Sequence, residues 1–297
     1  MKIYFTGDKI EYGSPAIALG NFDGVHAGHL HIIERAREAG ESFGVLLFEK
    51  HTSNMTGKGV KVITPLYEKL RILSELGADF VYLVNFDKRF MSMGCEEFAK
   101  YINELGIYSV SVGYDYKFGK NAAGDAALIK ELLAVYGIKT MVSDAVTVDG
   151  CPVKSSRIRE LISDGKMLEA NKLLTRPLRL SGIVVSGFQN GRKMGFPTAN
   201  LECPDEILLP QDGVYYGECI VDGERYSAVV NVGKNPTFNA GSRTVESHII
   251  GYDDDLYGCR ISVEFFEKIR GEMRFDSVSA LKEQIARDKE YAIKRGK

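Results

Sequence analysis

The feature of this sequence that most constrains its fold is a change of rhythm near Arg176–Pro177. From Ala16 to about Tyr136, short apolar runs alternate with longer segments in which apolar residues recur every three or four positions. Runs of the first kind are typical of buried strands, and segments of the second kind are typical of helices. This alternation predicts βαβ units and therefore an α/β domain with a parallel sheet.

After Pro177 the pattern changes to strand-like runs separated by turns rich in Gly, Asp, Asn and Pro. The pair Asp222–Gly223, which lies between two such runs, is a signal for a β-hairpin. Only the last stretch, Val278–Gly296, has a helical pattern, and Asp276 or Ser277 can cap its start. The second half is therefore predicted to be an antiparallel β-barrel with a terminal helix.

The chain is long enough for two domains, with 297 residues of which 44% are hydrophobic and 26% charged. We place the first domain at residues 1–176 and the second at 177–297. The segment Ser155–Leu174 is expected to form a pair of helices that ends the first domain. No internal repeat or low-complexity linker is present, which suggests a short connection.

Composition excludes several classes of protein. The net charge of −2 argues against non-specific nucleic-acid binding through a bulk field. No apolar run approaches the roughly 20 residues of a membrane helix, and the first residues lack the apolar run of a signal peptide. The five cysteines form no C-x-x-C pair, so a zinc cluster or a disulfide framework is not expected. We expect a cytoplasmic protein with no nucleic-acid or membrane partner, and weak self-association is left open.

The strongest local signal is the segment Gly20–His29, which follows a predicted strand and precedes a predicted helix. The free N–H groups and the dipole of a helix N-terminus favour a phosphate there. Gly24 and Gly28 allow the backbone to approach a ligand closely. His26 and His29 are three residues apart, so in a helical turn both imidazoles face the same side. Two such donors can stabilise the charge that develops when pyrophosphate leaves.

Two other structures fit this segment. A surface loop with two incidental histidines has the same short pattern. A metal pair is a further alternative, although no third ligand lies nearby in the sequence.

A second cluster is Ser155, Ser156, Arg157 and Arg159. Two hydroxyls open a predicted helix, and two arginines lie in its first turn. Arginine is unfavourable at a helix start because of the helix dipole, so this pattern suggests a nearby phosphate. An ordinary capped and solvated helix also fits.

A third cluster lies in the second half, where a basic, glycine-rich stretch includes Gly191, Lys193 and Gly195. Backbone N–H groups of such a loop can wrap a triphosphate. Thr198 and Asn200 follow, and as residues i and i+2 of an extended segment they face the same side. Their neutral oxygens suit Mg²⁺. A turn that merely connects two strands also fits.

One carboxylate stands in an apolar, alternating run, Val245–His248. At the rim of a barrel, Glu246 can accept the proton of an attacking hydroxyl. Alternation alone equally allows Glu246 to lie on the solvated face.

The N-terminal motifs resemble those of the His-x-Gly-His nucleotidyltransferases, whose second signature is Ile-Ser-Ser-Thr-x-x-Arg and here reads Val153–Arg159. The longer phrase Gly20–His29 is similar to the opening of the bacterial bifunctional riboflavin kinase/FMN adenylyltransferases, the prokaryotic FAD synthetases. Val112–Gly119, followed by Gly124–Asp125, resembles a further segment of that family. The resemblance implies a Rossmann-like nucleotidyltransferase domain.

This resemblance also implies residue roles. His26 and His29 are implied to be catalytic and to contact ATP phosphates, and Asp115 is implied to lie in the nucleotide–flavin pocket. The residues implied to bind ATP in this domain are Gly20, Phe22, Asp23, Gly24, His26, His29, Ser155, Ser156 and Arg159.

From about Leu178 to Ala292 the chain resembles riboflavin kinase, through Pro-Thr-Ala-Asn, Asn-Pro-Thr-Phe, Glu-x-His and Asp-Leu-Tyr-Gly in one order. The resemblance implies that Thr198 and Asn200 bind ATP and Mg²⁺ and that Glu246 is the catalytic base. It also implies ATP binding by the glycine-rich stretch, at Gly191, Lys193 and Gly195.

The implied function is FAD biosynthesis with ATP as co-substrate. The barrel would phosphorylate riboflavin to FMN, and the α/β domain would adenylylate FMN to FAD with release of pyrophosphate. Riboflavin, FMN, FAD and ATP would be the small-molecule partners.

Two departures from the family leave alternatives open. The family usually carries Phe-x-Pro-His-Pro after its second strand, whereas this chain reads Phe48–Thr52 without either proline. Lys154 replaces the first serine of the second signature. One alternative is a riboflavin kinase whose N-terminal domain does not make FAD, and another is a flavin- or nucleotide-binding regulatory protein without turnover.

Overall fold

In a computed structural model, the described residues are 1–49, 59–186, 196–234 and 243–296. The chain divides into two compact units, Met1–Ser155 and Ser156–Lys297. The first is an α/β unit with a parallel sheet and the second contains a closed antiparallel barrel, so the predicted fold class is confirmed. The domain boundary between residues 176 and 177 stays a prediction.

The first unit is built on a six-stranded parallel sheet in the order β1-β4-β3-β2-β5-β8. Two short antiparallel hairpins, β6 with β7 and β9 with β10, complete its strands. The strands are β1 (Lys2–Phe5), β2 (Pro15–Leu19), β3 (Ser42–Phe48), β4 (Phe80–Val84), β5 (Ser109–Gly113), β6 (Lys117–Phe118), β7 (Gly124–Asp125), β8 (Lys139–Ser143), β9 (Thr147–Val148) and β10 (Cys151–Pro152).

Helices cover both faces of this sheet, because successive residues of a strand point to opposite sides. In β2, Ile17 and Leu19 belong to one apolar cluster, whereas Ala16 and Ala18 belong to another. Such two-sided burial is typical of a parallel sheet. The described helices of the unit are α1 (Ala27–Ala39), α2 (Leu66–Glu75), α3 (Lys88–Met91), α4 (Cys95–Glu104) and α5 (Ala126–Ala134).

The strand order of the sheet reverses beside β2. The chain runs from β2 through β3 to β4 and then returns to β5 on the other side of β2. A reversal of this kind opens a crevice at the carboxyl ends of the two strands. Because β2 ends at Leu19 and β5 ends at Gly113, the histidine-containing loop and Asp115 both leave the sheet at this crevice.

The second unit is a six-stranded closed barrel in the order β11-β12-β15-β14-β13-β16, with every pair antiparallel. The predicted hairpin at Asp222–Gly223 joins β13 to β14, with φ values of +50° and +87°. Its strands are β11 (Leu178–Val185), β12 (Ala199–Leu201), β13 (Gly213–Val221), β14 (Glu224–Lys234), β15 (Arg243–Ile249) and β16 (Arg260–Arg270).

Three helices accompany the barrel strands: α6 (Ser155–Ser163), α7 (Met167–Leu174) and α8 (Val278–Arg295). Asn171 of α7 donates a hydrogen bond to the Phe265 carbonyl at 2.7 Å and accepts one from the Leu178 N–H at 2.9 Å. These bonds attach α7 to the barrel. The predicted helix pair is thus present, and α7 packs within the second compact unit.

The terminal helix α8 begins as predicted, with the Ser277 hydroxyl accepting a hydrogen bond from the Ala280 N–H at 3.1 Å. A buried ion pair holds it to β16, since Arg270 Nη2 lies 2.8 Å from Asp288 Oδ2. Within the described ranges, no helix is both long enough and apolar enough to span a membrane.

Candidate active sites

The loop between β2 and α1 has a strained backbone. Phe22, Gly24 and Val25 have φ values of +47°, +94° and +39°. A non-glycine residue in this region costs about 1–3 kcal/mol and persists only where its surroundings hold it. Phe22 and Val25 are fully buried, so the hydrophobic core supplies that constraint. Strain of this kind concentrates at functional sites.

Asp23 anchors the loop from inside. Its side chain is buried, and Oδ1 accepts hydrogen bonds from the N–H groups of Ile63 at 2.9 Å and Thr64 at 3.0 Å. This carboxylate therefore holds the segment that leads into α2. The structure assigns the Asp23 side chain a supporting role, and its contact with ATP stays a prediction.

Two further hydrogen bonds hold the loop at distant points of the chain. Lys69 Nζ of α2 donates to the Asn21 carbonyl at 2.7 Å, and Ser155 Oγ donates to the Asp23 carbonyl at 2.8 Å. Ser155 is thus brought to the loop, as the phosphate prediction requires. Lys69 was missed by sequence reasoning, because a lysine within a helical pattern carries no local sign of burial.

The two predicted histidines lie against each other. His26 is the N-cap of α1, and its Nδ1 accepts a hydrogen bond from the His29 N–H at 3.3 Å. The two rings stack with their centroids 3.6 Å apart. Since Nδ1 accepts, the ring proton of neutral His26 is on Nε2. Gly28 permits this packing, because a Cβ at that position would lie 3.3 Å from the His26 ring.

Asp115 is exposed and follows the end of β5. Half-buried aromatic rings lie near the ends of two neighbouring strands. The ring of Phe48, the last residue of β3, has its centroid 4.9 Å from that of Phe86, which follows β4, and 5.7 Å from that of Phe90 in α3. Sequence reasoning gave neither Phe86 nor Phe90 a role in a site, because Phe86 was included in an apolar run predicted to be a buried strand. The remainder of the divergent loop, residues 50–52, lies outside the described residues.

Ser156 lies in the first turn of α6 and Arg159 begins the second. Ser156 is exposed and Arg159 is half-buried. Their predicted contact with a triphosphate stays a prediction.

In the barrel, three polar residues stand in a row across neighbouring strands. Glu246 of β15 is directly opposite Asn200 of β12 on one side and Asn231 of β14 on the other. Side chains opposite each other in antiparallel strands share a face, with Cβ atoms about 4.5–5.5 Å apart. Glu246 is half-buried rather than solvated, and burial raises its pKa. The row places a carboxylate between two amides.

Thr198 and Asn200 line one cavity of about 220 Å³. Glu246 lies beside this cavity rather than in its lining. The other lining residues are Val184, Pro197, Ala199, Ser247, Ile249 and residues 252–257. The structure therefore brings the two predicted metal ligands together. The other predicted ATP-binding residues of this half, Gly191, Lys193 and Gly195, lie outside the described residues.

The cavity suits a hard cation that also holds phosphate oxygens. No group of three or more His, Cys, Asp or Glu side chains among the described residues can hold a metal ion. Asn200 is buried, and its Oδ1 has no hydrogen-bond partner among those residues. A buried carbonyl oxygen without a partner is costly unless a ligand satisfies it. Asn200 Oδ1 and the Thr198 hydroxyl therefore fit the oxygen preference of Mg²⁺.

The α/β unit has a strained histidine loop at its strand crossover, and the barrel has a carboxylate–amide row. Together these two sites define a nucleotide-dependent transferase with two active sites. Residues 9–157 match the FAD synthetase family, and residues 174–295 match the riboflavin kinase family. The chain belongs to the family of bifunctional riboflavin kinase/FMN adenylyltransferases. The predicted family and enzyme class are thereby confirmed.

Full-length relatives support this assignment. The bifunctional riboflavin kinase/FMN adenylyltransferase of Bacillus subtilis (strain 168) is 34% identical, over 96% of this chain and 94% of the relative. The Escherichia coli (strain K12) protein of the same name is 36% identical, over 92% and 90%. A solved structure from Streptococcus pneumoniae, described as a macrolide-efflux protein, is 30% identical with a TM-score of 0.87, over 98% of this chain and 99% of that one.

Proposed function

We propose that this chain makes FAD from riboflavin in two ATP-dependent steps, one in each compact unit. The barrel unit phosphorylates riboflavin to FMN, and the α/β unit transfers the adenylyl group of ATP to FMN. The observation that carries the proposal is that each unit holds its own cluster of phosphate-suited polar residues, the His26–His29 stack in one and the Asn200–Glu246 pair in the other.

In the barrel, Glu246 is the proposed general base. Its carboxylate accepts the proton of the terminal ribityl hydroxyl while that oxygen forms a bond to the γ-phosphorus, and the bond from the γ-phosphorus to the β–γ bridging oxygen breaks. Thr198 and Asn200 would hold Mg²⁺, which when bound supplies neutralisation of phosphate charge. Burial of Glu246 favours this role, because a raised pKa makes the carboxylate a stronger base.

In the α/β unit, a phosphate oxygen of FMN forms the bond to the α-phosphorus of ATP, and the bond from the α-phosphorus to the α–β bridging oxygen breaks. No nucleophile from the protein is needed, so catalysis consists of positioning and electrostatic stabilisation. His26 donates through Nε2, and His29 lies against it in the same turn. The cytoplasmic location and the residue roles remain proposals.

The alternative, a kinase with an inactive α/β unit, rests on the divergent segment Phe48–Thr52. The His26–His29 arrangement and the Ser155 contact favour an active unit, since phosphate handling depends on them. Both readings predict FMN formation from riboflavin, but only the main proposal predicts FAD.

A single time course tests the proposal. Purified protein is incubated with riboflavin, ATP and Mg²⁺, and the flavins are separated at intervals. FMN is expected first, followed by FAD with one pyrophosphate released for each FAD. A parallel incubation, in which FMN is supplied in place of riboflavin, isolates the second step. Formation of FMN from riboflavin, with no FAD in either incubation, would support the alternative, and binding without ADP or pyrophosphate release would reject both activities.

A further inference from the structure

We infer that His248 is a positioning residue of the barrel site, which holds the Pro197 carbonyl and thereby sets the direction of the Thr198 side chain. The inference deepens the proposed kinase function and rests on it. Sequence reasoning placed His248 within the Glu-x-His motif but gave the imidazole no role.

The backbone ahead of β12 lacks the support of a strand ladder. Pairing between β12 and β15 begins with Ala199 opposite Ser247, so Pro197 and Thr198 precede the first ladder pair. Proline has no N–H to donate. The Pro197 carbonyl instead lies 2.9 Å from Nδ1 of His248. The His248 side chain of β15 therefore holds the backbone at Pro197, as backbone hydrogen bonds between β12 and β15 hold the residues that follow.

The direction of this bond follows from its partners. A carbonyl oxygen can only accept, so Nδ1 of His248 carries the proton. Burial lowers the pKa of His248, the hydrogen bond to Pro197 opposes this shift, and the charge of Lys289 adds to it, so that the net shift is downward. In the neutral ring the single N–H is on Nδ1 and is directed at the Pro197 carbonyl.

Packing fixes the ring that makes this bond. His248 is buried, and Phe196 contacts it edge-on, with ring centroids 5.6 Å apart and planes at 82°. Edge-to-face contacts of this kind contribute about 0.5–1.5 kcal/mol. Donor and acceptor are thus held in one arrangement rather than meeting transiently.

The hydrogen bond to Pro197 affects the cavity through the planar peptide bond that joins Pro197 to Thr198. The Pro197 carbonyl and the Thr198 N–H belong to the same peptide plane, so fixing the carbonyl fixes how the chain enters Thr198. Thr198 lines the cavity together with Asn200. Loss of the His248 bond should therefore weaken binding of a Mg²⁺–nucleotide more than it slows proton removal by Glu246.

The experiment compares His248→Asn with His248→Asp in the full chain. The two variants have nearly the same shape, but the asparagine amide can donate to the Pro197 carbonyl and the ionised carboxylate cannot. For each we would measure Mg²⁺–ADP binding by isothermal titration and FMN formation as a function of Mg²⁺–ATP.

His248→Asp should raise the Kd for Mg²⁺–ADP and the KM for Mg²⁺–ATP by about tenfold or more, which corresponds to the loss of one hydrogen bond with its acceptor left unpaired. Its kcat should fall less than about threefold, since proton removal is untouched. His248→Asn should stay within about threefold of the wild type in both constants.

Circular dichroism of the full chain is the control for folding of the barrel, and FAD formation from supplied FMN checks that the other unit is unaffected. If His248→Asp fails to fold, His248→Phe replaces it, since phenylalanine keeps the ring without a donor. The inference is overturned if the donor-free variant binds Mg²⁺–ADP as tightly as the wild type, or if His248→Asn binds it as weakly as the donor-free variant. Absence of FMN formation by the wild type would reject the proposed kinase, whereas the titrations would still decide the role of His248.

Discussion

The rings of His26 and His29 stack with their centroids 3.6 Å apart and their planes at 14°, while the same His26 ring caps the helix that carries His29. His26 therefore has two separable tasks. Its Nδ1 accepts a hydrogen bond from the His29 N–H at the start of α1, and its other ring nitrogen, Nε2, is the proposed donor to phosphate.

Replacing His26 by asparagine should separate these tasks. Asparagine is a good N-cap, so the melting temperature should hardly change. The ring donor is lost, so FAD formation from FMN should fall about 10²–10³-fold. His26→Ala should show the same loss together with about 1 kcal/mol less stability. FMN formation from riboflavin is the control, and an asparagine variant with a wild-type FAD rate would contradict the role of His26.

Gly28→Ala should disturb the same pair by a small displacement. The added Cβ would lie 3.3 Å from Cε1 and Nδ1 of His26, which is tighter than an ordinary contact. If the His26 ring acts as proposed, its displacement by a few tenths of an ångström should slow FAD formation by about tenfold. Circular dichroism and the FMN-forming rate should match the wild type. If FAD formation is unchanged, the position of the His26 ring does not limit the reaction.

Asp23 offers a test between support and ligand binding. Asp23→Asn keeps an oxygen that can accept the two backbone N–H bonds from Ile63 and Thr64, whereas Asp23→Ala leaves both donors unpaired. The alanine variant should lose about 2–4 kcal/mol of unfolding free energy, and the asparagine variant considerably less. Denaturant unfolding measures both. A large rise in the KM for ATP in a stable Asp23→Asn variant would instead indicate direct contact with ATP.

Glu246→Gln should abolish most FMN formation, by about 10²–10⁴-fold, because the glutamine amide cannot act as a base. Burial raises the pKa of Glu246, so an ionised carboxylate destabilises the fold at neutral pH relative to a neutral side chain. The variant should therefore melt at a higher temperature at neutral pH while being inactive. FAD formation from FMN provides the matched control.

The same pKa determines how wild-type activity depends on pH. A base works only when ionised, so FMN formation should fall as the pH drops through the raised pKa of Glu246. An exposed glutamate has a pKa of about 4.3. The fall in the rate of FMN formation should therefore begin at a higher pH than it would for an exposed glutamate. Rates of FMN formation between pH 5 and 8, with FAD formation from FMN measured alongside, check this. An acid limb that persists in Glu246→Gln would have to come from another group.

The buried pair Arg270–Asp288 should control the attachment of α8. Asp288→Ala leaves a buried guanidinium without its partner and should cost about 3–5 kcal/mol. The more exposed pair between Arg295 of the same helix and Glu267 of β16 is the matched comparison, and Arg295→Ala should cost about 1 kcal/mol or less. Denaturant unfolding of the barrel, followed by circular dichroism, measures both. Equal effects would mean that the buried pair does not hold the helix.

Much of the fold followed from local patterns. Short continuous apolar runs predicted β2, β3, β4 and β5, because strands buried on both faces carry few polar residues. Apolar residues at every third or fourth position, with a cap at Asp276 or Ser277, predicted α8. The edge strands β1 and β8 were not predicted. Residues such as Ile3 and Val142 are exposed there, and a short edge strand lacks a continuous apolar run.

For the candidate sites, too, part of the arrangement was predicted from the sequence and part was decided only by the structure. Motif spacing in the sequence indicated that His26 and His29 would lie together if their turn was helical, and the alternating run indicated that Glu246 lies in a strand. Which face Glu246 occupies was decided only by its register with Asn200 and Asn231, because alternation is the same whichever face is buried.

Hydrogen bonds between residues that are far apart in the chain could likewise not be predicted from the sequence. Lys69 reaches the Asn21 carbonyl across 48 positions, and His248 reaches Pro197 across 51. Periodicity and motifs are properties of neighbouring residues, so the sequence by itself determined the elements, the two-part organisation and the chemical character of each site. Only the tertiary structure decided which distant groups meet, because that depends on how all the elements pack at once.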